Sequence, residues 1–191
     1  MTLTKSISLV ALVTGLLLLI PLTAKLTMAN MLWTAEDFVA AGIMLFGAGL
    51  TFVLIARLGN NNTYRLAAAV AVGAGLLLVW AQLAVGLVGS EDNPVNLLFG
   101  AVLAVAFIGS MAVRFQPRGM ANTMFAASLT YVVVTLLALF VWPPSPDTAE
   151  PQVRLATVLA ANGMFAAIWA VSGLLFLRAS ASSSNQNRQL A

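Results

Sequence analysis

The chain has 191 residues, 61% of them hydrophobic and 8% charged, with nine basic residues against six acidic ones. Soluble domains carry roughly a quarter charged residues, so an ordinary water-facing surface is excluded. There is no His and no Cys, which removes His-held haem, thiolate metal sites, cysteine nucleophiles, disulfides and the commonest general base.

The charged residues leave long uncharged runs at 6–24, 38–56, 66–90, 93–113, 119–146 and 155–177. An apolar helix needs about 20 residues to cross about 30 Å of hydrocarbon. These runs are continuous in Leu, Val, Ala, Phe and Ile, whereas a membrane strand would alternate apolar with polar. The sequence therefore predicts an all-α polytopic transmembrane bundle of six helices, about 6–28, 38–57, 65–88, 94–114, 119–142 and 154–178. One domain, 1–178, is followed by a short polar tail, 179–191, expected to be disordered.

Taken alternately, the flanks of the six helices separate by charge. One set holds Lys5, Arg57, Arg65, Arg114, Arg118, Arg178 and Arg188; the other holds Lys25, Arg154 and all six acidic residues. Short loops rich in Lys and Arg stay cytoplasmic, so both termini are expected inside. The basic residues sit at membrane boundaries rather than in one patch, so the positive net charge is no argument for nucleic acid.

In chain order, residues 1–29 also fit a secretory signal peptide, with Thr27-Met28-Ala29 as its small-residue cleavage motif, although a retained first helix is expected. Pro21 is expected to bend or end that helix. Trp33 suits an interface, and Thr34 with Asp37 gives a capping-box start to the second helix. The second helix carries Gly42, Gly47, Ala48 and Gly49, small residues that let membrane helices approach closely. The third carries Gln82, and Gly86 or Gly89 can end it. In the following GSEDNPVN, Asn93 reads as a helix cap and Pro94 as a first helical residue. Pro117 and Gly119 are expected to form the turn between helices four and five. The Ser and Thr hydroxyls of helix five can bond back to their own helix carbonyls, so they need not mark a pore. Four prolines in 142–153 make an extended outer loop. The order acidic pair, span, Arg, turn, Arg, span occurs at Glu36–Arg65 and again at Glu91–Arg118. It reads as a parallel hairpin repeat or as the charge rule acting twice.

Three groups of residues are candidates for a role. Glu91, Asp92 and Asn96 at an outer mouth would meet a cation, though two adjacent carboxylates are few for Ca²⁺, which takes 6–8 oxygens. Gln82, Thr135 and Asn162 each lie some 7–8 residues from an outer helix end, about 10–12 Å deep at 1.5 Å per residue. They would form one intramembrane polar layer, either a packing clasp or the floor of a vestibule. Arg57, Arg65, Arg114 and Arg118 are placed to meet lipid headgroups on the inner face. No ionisable side chain lies at a span centre, which counts against a proton-driven transporter.

The strings WTAEDFVAAG, Tyr64-Arg65, W-x-x-LAVGLVGSEDNPVNLLFG and RFQPRGMA resemble an uncharacterised group of small bacterial integral membrane proteins, over about residues 33–125. The resemblance implies a bacterial inner membrane and brings no catalytic or binding residue with it. The sequence reading is thus a non-enzymatic membrane protein without cofactor. It would be a structural or accessory subunit with a membrane-protein partner, or a homo-oligomer. The alternatives are a passive channel or carrier for a small neutral or cationic solute entered past Glu91 and Asp92, and an outer-surface enzyme working from carboxylates.

Overall fold

The computed structural model describes residues 2–28, 32–59, 61–88, 94–141 and 155–190, with side chains only to 182 in the last stretch. It is all-α. Its six helices are each long and apolar enough to cross a membrane, and the chain is a multi-pass membrane protein. It divides into two units, residues 1–57 and 58–191.

The first unit is a helical hairpin of α1 (Leu3–Thr27) and α2 (Ala35–Ala56). Thr2 caps α1 by accepting from the Lys5 amide. Pro21 neither ends nor breaks α1, which continues to Thr27; a proline removes a single intrahelical donor, and the apolar run beyond it still gains from being helical. Thr34 and Asp37 form a reciprocal capping box, with the Thr34 amide donating to Asp37 Oδ2 at 2.7 Å. Trp33 stands edge-on to Phe38 at 5.2 Å, and the Lys25 ammonium donates to the Trp33 carbonyl. The helices touch where a side chain is missing: a Cβ on Gly49 would fall 2.6 Å from Val10 Cγ1. At the other end Arg57 donates to the Ser6 hydroxyl at 3.0 Å.

The second unit contains α3 (Asn62–Ala84), a 3₁₀ turn (Pro94–Phe99) running into α4 (Gly100–Ala112), α5 (Pro117–Leu136) ending in a π-helical segment (Leu137–Val141), and α6 (Leu155–Leu190). α6 packs on both α5 and α3, and α5 on α4. An alanine face of α3, Ala67, Ala68, Ala71 and Ala74, lies buried. Met120, Met124 and Tyr131 of α5 and Trp169 and Phe176 of α6 are buried as well. Large apolar side chains point outward as well, among them Leu83, Phe107, Ile108 and Leu129. Such a surface suits hydrocarbon, not water.

Gly86 ends α3 as the sequence predicts, while several other boundaries differ. This glycine has φ 71°, and its amide reaches back to the Ala81 carbonyl at 3.0 Å. Asn93 and Gly89 lie outside the described residues. Pro94 opens a 3₁₀ turn, and the α-helix begins only at Gly100. The α4–α5 turn is made by Val113 to Phe115, with Arg114 at φ 51° and Phe115 at φ 58°. Pro117 is instead the first residue of α5, where its missing N–H costs nothing. Gly119 supplies room: a Cβ there would lie 2.5 Å from Val113 Cβ. α6 runs to Leu190, beyond the expected end at 178. No Gly or Pro follows Gly173, and the Ser180 and Ser182 hydroxyls bond back to Leu177 and Arg178.

Candidate functional site

The polar residues expected to share a depth meet in the second unit, but through intermediaries. α3 stops at Gly86, so the next residues, Leu87 and Val88, expose backbone amides that no helix uses. The Asn96 Oδ1 accepts both, at 3.1 Å from Leu87 and 3.0 Å from Val88. The Asn96 carbonyl accepts from Gln82 Nε2 at 2.7 Å. On the far side of the same turn, Asn162 Nδ2 donates to the Leu87 carbonyl at 3.2 Å and to Val158 of its own helix at 2.9 Å. Its Oδ1 accepts from the Tyr131 hydroxyl at 3.1 Å.

Thr135 is close by. Its hydroxyl bonds the Tyr131 carbonyl at 2.9 Å and stands 3.5 Å from Asn162 Oδ1. The second distance is long for O–H···O, so the proton belongs on the backbone contact. Asn96, Thr135 and Asn162 are all buried, and Tyr131 is 0% exposed between the rings of Phe99 and Phe165. Asn162 thus uses both amide protons and its oxygen within the fold. No member of the layer titrates near neutral pH. Chemically the arrangement joins α3, the 3₁₀ turn, α5 and α6, and its two hydroxyls, on Tyr131 and Thr135, are both hydrogen-bonded within the fold.

Beside it, a notch between α5 and α6 reaches Thr135 and Asn162 between Val132, Leu136, Leu159 and Gly163. Its walls are hydrocarbon. Asn96, read from sequence as part of an outer mouth, faces inward and holds the turn; Glu91 and Asp92 lie outside the described residues. Among the described residues no group of three His, Cys, Asp or Glu converges to hold a metal.

Two buried aromatics were not singled out from sequence. Tyr131 completes the layer, and its only signal was a hydroxyl about one turn from Thr135. Trp169 is 2% exposed, and its indole N–H meets no acceptor among the described residues. The hydroxyls of α5 take two courses, Ser128 serving as the link to α6. Its hydroxyl crosses to the Ala166 carbonyl of α6 at 2.8 Å, while Thr130 bonds back along α5.

Of the four arginines expected at headgroups, Arg65, Arg114 and Arg118 are exposed at the end of the second unit opposite the polar layer, and Arg57 belongs to the first unit. No family model, curated protein or solved structure matches the chain. The site is therefore read from its own geometry.

Proposed function

We propose that this multi-pass protein is a non-enzymatic component of its membrane, a structural or accessory subunit or a homo-oligomer. One observation carries the reading: the described polar side chains of the buried layer are engaged in holding helices together. A layer built to bind or convert a solute would keep a donor or acceptor turned toward a cavity. The hairpin of α1 and α2 adds support. A Cβ at Gly15 or Gly47 would meet nothing within 4 Å, which leaves small-residue surface against which another helix can settle.

The membrane in this reading is a bacterial inner membrane with both termini cytoplasmic. The segregation of Lys and Arg onto alternate flanks supports the orientation, and the resemblance over residues 33–125 supports the membrane. Sizing the full chain in a mild detergent, with mass identification of whatever co-purifies, tests the reading. A defined oligomer or a stoichiometric partner is expected. A strict monomer that brings nothing with it would overturn it.

A further inference from the structure

The end of the second unit opposite the polar layer is tied by hydrogen bonds between elements. Asn61, the cap of α3, donates through Nδ2 to the Ala179 carbonyl of α6 at 3.1 Å. Tyr64 donates its hydroxyl to the Phe115 carbonyl, in the α4–α5 turn, at 2.8 Å, and its ring stands edge-on to Phe176 at 5.0 Å. Tyr64 and Ala179 are buried.

Each bonded element carries an arginine beside the bond. Arg65 follows Tyr64, Arg114 precedes Phe115, and Arg178 precedes Ala179; Arg118 lies in the first turn of α5. Adjacent Cα atoms are about 3.8 Å apart, so the ties that close the bundle also gather these cations onto one rim. All four are exposed, and the described residues of this unit include no Asp or Glu to neutralise them. The turn's own amides are occupied, Val113 by Gly109, Arg114 by Met111 and Phe115 by Ser110. Any anion must therefore be met by side chains. Next to the cations, Leu66 is 55% exposed and Leu177 43%.

We propose that this rim is a docking surface for the phosphate headgroup of an anionic phospholipid. Guanidinium groups match phosphate oxygens in charge and geometry. The rim closes the ends of membrane-length helices, where headgroups lie. The exposed leucines beside it favour a ligand with acyl chains over a free anion. Arg57 belongs to the first unit, where it is bonded to Ser6, and the proposal names arginines of the second unit alone. The inference rests on the chain lying in a bilayer and not on its assembly.

The test is thermal unfolding of the purified full chain in an uncharged detergent. Phosphatidylglycerol, phosphatidylcholine or inorganic phosphate is added in turn, and bound lipid is counted by native mass spectrometry. Phosphatidylglycerol is expected to raise the midpoint by at least about 3 °C, given that tight binding shifts a chain of this size by a few degrees. The other two are expected to do much less. The triple variant Arg65→Gln, Arg114→Gln, Arg178→Gln loses that shift and the retained lipid; Arg57→Gln keeps both. Should the triple variant unfold, single Arg65→Gln and Arg178→Gln variants decide, each losing part of the shift. An undiminished response in these variants, an equal loss in Arg57→Gln, or an equal shift with inorganic phosphate overturns the proposal. Sizing the same samples reads oligomeric state separately, so either reading can fail alone.

Discussion

Asn96 and Asn162 hold the same residue from opposite sides. Asn96 accepts the Leu87 amide at 3.1 Å, and Asn162 donates to the Leu87 carbonyl at 3.2 Å. Between them the two carboxamides take both backbone groups of one residue just past a helix end. In hydrocarbon those groups have no water to turn to, so the arrangement is a structural necessity once α3 stops at Gly86.

Asn162→Ala should therefore be costly. It leaves the Tyr131 hydroxyl and the Leu87 carbonyl without their buried partner. Interhelical bonds of this kind are worth about 0.6–2 kcal/mol each, so a loss of roughly 1–3 kcal/mol is expected. Reversible unfolding in mixed micelles reads it. Because Asn96 grips the same turn, the Asn96→Ala, Asn162→Ala double variant should cost less than the sum of the singles. Strict additivity would mean that the turn is not shared.

Tyr64→Phe keeps the ring against Phe176 and removes only the bond to Phe115. The expected loss is about 1 kcal/mol. The reverse sign is expected at the turn itself. Arg114 is exposed and sits at φ 51°, a region costly for any residue with a Cβ. Arg114→Gly should stabilise the protein by up to about 1 kcal/mol when measured without anionic lipid. A destabilised glycine variant would show that the arginine stem does packing work there.

The span number was legible because hydrocarbon thickness acts on composition, which a sequence displays directly. Depth counting also pointed to Gln82, Thr135 and Asn162, since rise per residue is fixed. It could not show that Gln82 reaches the layer only through the backbone of Asn96, because that depends on a 3₁₀ start to the fourth span. Nor could it find the turn at Arg114 and Phe115. Left-handed backbone is ordinarily signalled by Gly or Asn, and the nearby Pro117 and Gly119 drew the reading three residues too far along. Tyr131 carries no comparable signal, because an aromatic in a span reads equally as packing.

Two glycines of the second unit should respond oppositely to the same change. A Cβ at Gly109 would fall 2.6 Å from Thr123 Cγ2, where α4 crosses α5. Gly109→Ala must push these helices apart and should cost about 1–3 kcal/mol. At Gly73, in α3, a Cβ meets nothing within 4 Å. Gly73→Ala relieves backbone entropy without a clash and should gain about 0.5–1 kcal/mol. Unfolding midpoints of the pair check both signs. If both substitutions were neutral, the α4–α5 approach would be looser than this geometry.

Trp169 gives an unusual expectation for a buried aromatic. Replacing a large core side chain by a smaller one ordinarily costs several kcal/mol, most of it as lost packing and the cavity left behind. Trp169→Phe loses part of that packing beside Gly75 of α3, where its ring edge lies 4.0 Å from a Cβ position. It also removes an indole N–H that is buried without an acceptor among the described residues, and an unsatisfied donor costs about 1–3 kcal/mol while it stays buried. The two effects oppose each other, so the net loss should stay below about 1 kcal/mol. Trp169→Ala, which forfeits the ring altogether, should cost about 3–5 kcal/mol. Comparing the two in the same detergent separates ring packing from the polar atom. A phenylalanine variant as unstable as the alanine one would mean that the N–H has a partner when the protein is in lipid.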